Sequence, residues 1–379
     1  MNAGAITDAG QDTDVKRSSA HQTFHLLDTL RGIAALLVVA WHTEALLGFR
    51  PGSGYLAVDL FFVLSGFVIA HSYDRRLASG MGAIQFMRIR LIRLYPLYIA
   101  GIATAAAGIA AALALGLPMD WKVGQLAITF GCSALFMPTP AALGQNGSLY
   151  PLNTPAWSLF LELLINLLFA VCFRWLSIRM LVCVAVASLV WLCGSVYAYG
   201  SLNEGFLWSN MIYALPRVFF SFTVGVLLVR LYHQRALRLR VGTVAPVMMV
   251  LVLLCLAPQP TLRPFYDLGV VVLLFPPITL AAATAAPRRL VRVSAFLGIT
   301  SYAVYALHVP LLAIAEALSH KLLGHELGSL QPWAGIVFIL GVLLAAWLAD
   351  RFYDVRARRW LLGMGRPAAT GLAGRVDRS

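Results

Sequence analysis

The chain has 379 residues, of which 60% are hydrophobic and only 12% charged, and its mean hydropathy is +0.79. Soluble domains carry about a quarter charged residues and a little under half apolar ones, so a soluble enzyme, a fibrous protein and a disordered chain are all excluded. The formal charge of +13 reflects 29 basic against 16 acidic residues, and every basic residue except Lys16, Lys122 and Lys321 is an arginine.

Residues 1–25 read as a polar cytoplasmic tail. A spanning helix needs about 20 mostly apolar residues. Runs of that kind follow at 26–47, 55–73, 94–117, 154–173, 180–199, 209–231, 242–257, 267–286, 296–318 and 333–350. The expected fold is an all-α polytopic membrane protein with about ten transmembrane helices and both termini cytoplasmic. Its membrane domain covers 26–355, and a basic cytoplasmic tail covers 356–379.

A weaker apolar stretch, 122–137, carries Lys122 and Gln125. If it crossed the membrane, every later basic loop would change sides and the positive-inside asymmetry would collapse. It is therefore expected as an interfacial or re-entrant helix within the outer loop 118–153. With that arrangement only Arg50, Lys122, Arg217, Arg263 and Lys321 fall on the outer side or in outer helix portions. The positive charge then reports topology, and nucleic acid is not an expected partner. The five cysteines form no CxxC pair and have no neighbouring histidine, so neither a disulfide framework nor a metal site is expected.

Ionisable side chains inside spans are costly and mark functional candidates, the alternative being a residue near a helix end that is paired or reaches the interface. At ~1.5 Å per residue, Arg31 sits roughly 7 Å above the inner boundary and His42 about 24 Å above it. The same counting places Glu162, Arg217 and His308 in an outer tier with His42, and His71, Arg90 and Arg93 in an inner tier with Arg31. Guanidinium forks suit phosphate, and a neutral imidazole can accept a proton from an attacking hydroxyl. Arg90 and Arg93 equally suit positive-inside anchors, His308 a satisfied core histidine, and Arg217 a structural partner of Glu162. Asp59 is expected to face His42 and Arg31.

Five ordered blocks carry a resemblance. LDTLRGIAALLVVAWH (27–42), with Arg31 and His42, resembles the first helix of the acyltransferase-3 family of membrane acyltransferases, and VDLFFVLSGFVIA (58–70) its second-helix motif. RIRLIRLYPLY (88–98) resembles the Arg-x-x-Arg motif through Arg90 and Arg93, and PAWSLFLEL (155–163) the Trp-Ser-Leu-x-x-Glu motif through Trp157, Ser158 and Glu162. LGITSYAVYALHVPLL (297–312) resembles the late Ser-Tyr…His helix through Ser301, Tyr302 and His308. In YDVRARRW (353–360), Asp354 and Arg356 stand where relatives often show Glu-x-Pro, which leaves the role of Asp354 open.

The resemblance implies an enzyme of the bacterial inner membrane that moves an acyl group, usually acetyl, from cytoplasmic acyl-CoA to a hydroxyl of an extracytoplasmic or membrane-linked glycan. A macrolide is the acceptor of some relatives. It implies His42 as catalytic base, with transient acylation of His42 itself as the alternative route, Arg31 as a second essential group and Arg90 and Arg93 as ligands of the CoA phosphates. Glu162, acting through His308, would orient His42, while Asp59, Trp157, Ser158, Arg217, Tyr302 and His308 would support the site. Acetyl-CoA or another acyl-CoA is then a substrate, with no permanently bound cofactor, and the partners are acyl-CoA, a glycan or lipid-linked saccharide, and membrane lipid. A proton-coupled transporter, whose relay also uses buried His, Glu and Arg, and a non-catalytic partner in an envelope assembly are the competing readings.

Overall fold

In hydrocarbon every backbone N–H and C=O needs a partner within the protein, and a helix provides these within a single run of sequence. The computed structural model describes residues 24–117, 119–234, 239, 241–285, 291–322 and 327–363. Among these the chain is almost wholly helical, the one β contact being an isolated antiparallel bridge between Ser148 and Leu207.

In chain order the helices are α1 (His25–His42), α2 (Ala57–Ala78), α3 (Ala83–Ala114), α4 (Val123–Ala134), α5 (Ala156–Cys172), α6 (Ile178–Tyr199), α7 (Ala214–His233) and α8 (Val244–Cys255). They continue with α9 (Arg263–Thr284), α10 (Val291–Leu322) and α11 (Trp333–Gly363); α9 and α11 each pass through a π-helical turn, at Gly269–Leu274 and Ala349–Asp354. Eight of these, α2, α3, α5, α6, α7, α9, α10 and α11, are long and apolar enough to cross a membrane. The other two expected spans correspond to shorter helices. α1 has 18 residues and carries Asp28 and Arg31, and α8 has 12, about 18 Å against a core of about 30 Å. The tails 1–23 and 364–379 lie outside the described residues, as do the loop arginines Arg235, Arg238, Arg240, Arg288 and Arg289.

Small residues set the helix packing. A Cβ on Gly32 would meet the Leu297 Cβ at 2.5 Å, and one on Gly298 would meet Asp28 at 2.7 Å, so α1 and α10 lie in direct backbone contact. Thr29 donates to Ser294 at 2.7 Å near the N-terminal ends of both helices, and His42 at the C-terminal end of α1 meets His308 midway along α10 at 3.3 Å. The two helices therefore run parallel and stay in register. Gly66 of α2 and Gly225 of α7 pack against each other's helix in the same way, on the backbone of Phe222 and of Val63 respectively.

α4 folds back along α3. Leu126 and Phe130 pack with Ala105, Ile109 and Leu113, and the Tyr98 hydroxyl donates to the Ser133 carbonyl at 2.6 Å. α4, with 12 residues and about 18 Å in length, therefore lies antiparallel beside α3. The chain reverses at Phe136, a bulky residue at φ 57°, a conformation that costs roughly 1–3 kcal/mol. Stacking on Tyr98 at 3.9 Å and a 2.7 Å bond from the Tyr150 hydroxyl to the Phe136 carbonyl hold it there.

Candidate functional site

Arg31 and His42 are eleven residues apart on α1, three helical turns plus about 20°, so one face carries both. Each opens onto a different cavity. The inner cavity, of about 130 Å³, is lined by Arg31, Arg90, Ser158, Glu162, Ser301 and Tyr302 together with apolar residues of α2. The outer one, of about 190 Å³, is lined by His42, Trp41, Arg50, Trp157, Glu204 and Arg217 among others. Val58 and Tyr305 line both, so the two cavities adjoin at these side chains.

Hydrogen bonds constrain the tautomers at the outer site. The Nδ1 of His42 lies 2.9 Å from the Val38 carbonyl and 3.3 Å from the Nε2 of His308. The Nδ1 of His308 lies 2.9 Å from the Tyr305 carbonyl and 3.1 Å from that of Val304. Carbonyls only accept, so in the neutral rings both Nδ1 atoms carry the proton. His308 Nε2 is then an acceptor for the His42 Nδ1–H, and the Nε2 of His42 keeps its lone pair. His308 is fully buried, whereas His42 is open to the cavity. This base-and-orienter geometry follows the general logic of an activated acceptor.

The inner site pairs guanidinium groups with carboxylates. Arg31 donates to Asp28 at 2.9 Å, to the Ser301 hydroxyl at 3.0 Å and to the Gly298 carbonyl at 3.0 Å. Arg90 donates to Glu162 at 2.8 Å, and Ser65 donates to the same oxygen at 3.0 Å. The Arg90 Nε–H is buried and has no partner among the described residues. Tyr302 donates to the Leu94 carbonyl at 2.6 Å, tying α10 to α3. Arg93 is exposed on α3, within electrostatic range of Asp354 and Arg358, and does not line the inner cavity. Asp354, fully buried, is paired with Arg358 one turn on.

The structure corrects three of the expected pairings. Glu162 belongs to the inner tier: it bonds Arg90 and does not reach His42 through His308. Arg217 pairs with Asp59 through two bonds, 2.6 and 3.1 Å, and not with Glu162. Asp59 accordingly faces Arg217 and neither His42 nor Arg31. Arg217 also donates to the backbone carbonyls of Glu204 (2.9 Å) and Tyr55 (3.2 Å), with its guanidinium 5.4 Å from the Trp157 ring. Ser158 lies 2.7 Å from the Tyr305 hydroxyl, at the junction of the cavities.

Tyr305, Glu204, Ser65 and Trp41 complete these walls and were not singled out in the sequence. Tyr305 lies one turn before His308, so helical spacing alone pointed to it. Glu204 sits in a loop with no periodicity to mark it. His71, expected in the inner tier, stacks on His233 with ring nitrogens 3.2 Å apart, outside both cavities. The five cysteines are all free thiols.

A profile of the acyltransferase-3 family, described as an acyltransferase domain, matches residues 24–351. The chain belongs to this family. It is also similar to "Protein 2 in picA locus" of Rhizobium radiobacter, with 44% identity over 165 residues, 41% of this chain and 84% of that protein. No solved structure matches the chain. The matched span of this acyltransferase-3 protein runs from the start of α1 to the π-turn of α11, and therefore contains every residue of both cavities.

Proposed function

We propose that this membrane acyltransferase takes an acyl group, acetyl in the simplest case, from cytoplasmic acyl-CoA and transfers it to a hydroxyl of an extracytoplasmic or membrane-linked glycan. The observation that carries this reading is the pair of adjoining cavities, one walled by Arg31 and Arg90 and the other by His42, which meet at Tyr305. A donor and an acceptor approaching from opposite membrane faces need such an arrangement. The topology that goes with it has ten crossings, both termini cytoplasmic in a bacterial inner membrane, and α4 as a re-entrant helix from the outer face. Crossings at α1 and α8 are completed by the residues that flank these shorter helices.

In this mechanism the CoA phosphates are held by Arg90, with Arg93 nearer the solvent, and the thioester extends upward past Arg31 toward Tyr305. The acceptor hydroxyl gives its proton to the Nε2 of His42 as its oxygen attacks the thioester carbonyl. The new C–O bond replaces the C–S bond, and the imidazolium returns the proton to the departing CoA thiolate. His308 steadies the imidazolium by accepting from its Nδ1–H. Such a base contributes about 10²–10⁴-fold. Glu162 acts as a positioning residue, through Arg90.

The test is labelled acetyl transfer from acetyl-CoA in inverted and right-side-out vesicles, comparing wild type with His42→Ala. Label entering glycan only with wild type, and only when donor reaches the cytoplasmic face, is the expected result. His42-independent labelling, or no turnover of any acyl-CoA with crude envelope supplied, would overturn the mechanism, and the second outcome would favour a transporter.

A further inference from the structure

The outer cavity contains one charge that no cation bonds. Arg50 is opposed by Glu44 at 3.2 Å and Arg217 by Asp59 at 2.6 Å. Arg263 donates to the Tyr55 hydroxyl at 2.9 Å, which itself donates to Asp267 at 2.7 Å. Arg263 and Asp267 thus meet only through the Tyr55 hydroxyl, and of these six groups only Arg50 and Arg217 line the cavity. Glu204, in the loop between α6 and α7, is the one carboxylate among the described residues that lines it, beside His42.

Glu204 is held by neutral groups. The Asn210 amide donates to its Oε2, while the Asn210 Oδ1 accepts from the backbone N–H groups of Gly205 at 3.1 Å and Leu207 at 3.0 Å. Arg217 bonds the Glu204 backbone carbonyl and not the carboxylate, and Oε1 accepts no hydrogen bond among the described residues. The carboxylate is thus fixed in position, half-buried, with one oxygen open to a ligand. Burial raises its pKa, against the opposing pull of the Asn210 bond and the nearby Arg217 charge. Trp41 and Trp157 line the same cavity, their rings faced by the guanidiniums of Arg50 at 3.4 Å and Arg217 at 5.4 Å, with Asn203 beside Glu204. Aromatic edges with a few fixed polar groups suit a ligand that has both C–H surface and hydroxyls.

We infer that Glu204 selects the acceptor: its carboxylate receives a hydrogen bond from a second hydroxyl or an amine, holds the reacting hydroxyl at His42, and repels acceptors bearing a carboxylate or phosphate beside that hydroxyl. A charge-assisted bond of this kind is worth about ten- to a hundredfold in affinity. A second anion placed against Glu204 meets like-charge repulsion in a partly desolvated site. The inference rests on the transfer reading above, with the outer cavity as the acceptor side.

The experiment uses the full chain in vesicles with labelled acetyl-CoA and three probes: methyl glycosides of a hexose, of the matching amino sugar and of the matching uronic acid. Wild type should acetylate the first two and not the third. Glu204→Gln should raise KM for the hexose glycoside about tenfold or more with little change in kcat, and should narrow the gap to the acid. Glu204→Asp should keep the discrimination. Equal use of the acidic probe by wild type, use of no probe, or unchanged KM and discrimination in Glu204→Gln would each overturn the inference, and the wild-type comparison stands even if a variant fails to insert. Acetyl-CoA hydrolysis in the same samples separates the two levels. If no His42-dependent hydrolysis occurs, the transfer reading itself fails; if it persists without selectivity, only the role of Glu204 fails.

Discussion

Removing the His308 side chain is the most direct probe of the base. In His308→Ala the His42 Nδ1–H loses its 3.3 Å partner and keeps the Val38 carbonyl at 2.9 Å. The lost bond matters most when His42 is an imidazolium, because a bond to a charged group is worth about 1.5–3 kcal/mol against about 1 for a neutral one. Only the difference between the two states lowers the barrier, roughly 0.5–2 kcal/mol, which predicts a fall in kcat of about two- to thirtyfold. KM for acetyl-CoA should stay within about twofold, since His308 does not line the donor cavity. The variant also empties a fully buried imidazole site, so added imidazole should restore part of the lost kcat. Steady-state acetyl transfer in vesicles, with and without imidazole, gives both readouts. A kcat within twofold of wild type in a folded variant, or a change confined to KM, would refute the orienting role.

Three further outcomes follow from the ion pairs and the helix contacts. Arg90→Ala should weaken acetyl-CoA binding about ten- to a hundredfold by equilibrium titration, and Arg93→Ala less, because Arg93 stands outside the cavity wall; a larger effect from Arg93 would relocate the phosphate site. Arg217→Met should lower thermal stability sharply, by about 3–5 kcal/mol, through the stranded Asp59 charge, and Asp59→Leu added to it should recover much of that loss. A double variant no more stable than Arg217→Met would mean that the pair acts through more than charge. Gly225→Ala, whose Cβ would press on the backbone of α2, should cost about 1–3 kcal/mol and lower the folded yield measured by size-exclusion profile, whereas Gly194→Ala, with open space around it, should be silent.

Several features of this protein follow from local sequence alone. Apolar runs must become helices in hydrocarbon, because the backbone has no other partner there. A separation of eleven residues puts Arg31 and His42 on one face of one helix whatever surrounds it, because helical periodicity is a property of the backbone. The motifs holding Arg90, Glu162 and His308 were legible through their resemblance to the family's sequence blocks. Which charge meets which was not. Counting residues gives height along one helix, not direction around the bundle. The height itself went wrong at Glu162. Leu149, Tyr150, Leu152 and Asn153 are buried, so the loop before α5 is folded into the bundle, and Thr154 and Pro155 already line the cavity of His42. Glu162, seven residues past Pro155, therefore lies about 10 Å deeper, beside Arg90. Glu204 reaches the outer cavity only because Arg217 and Asn210 fasten its loop there. The helices and the chemistry of single faces were thus determined by the sequence, whereas the partners of each charge were decided by tertiary packing, since pairing depends on azimuth and loop placement that no local period encodes.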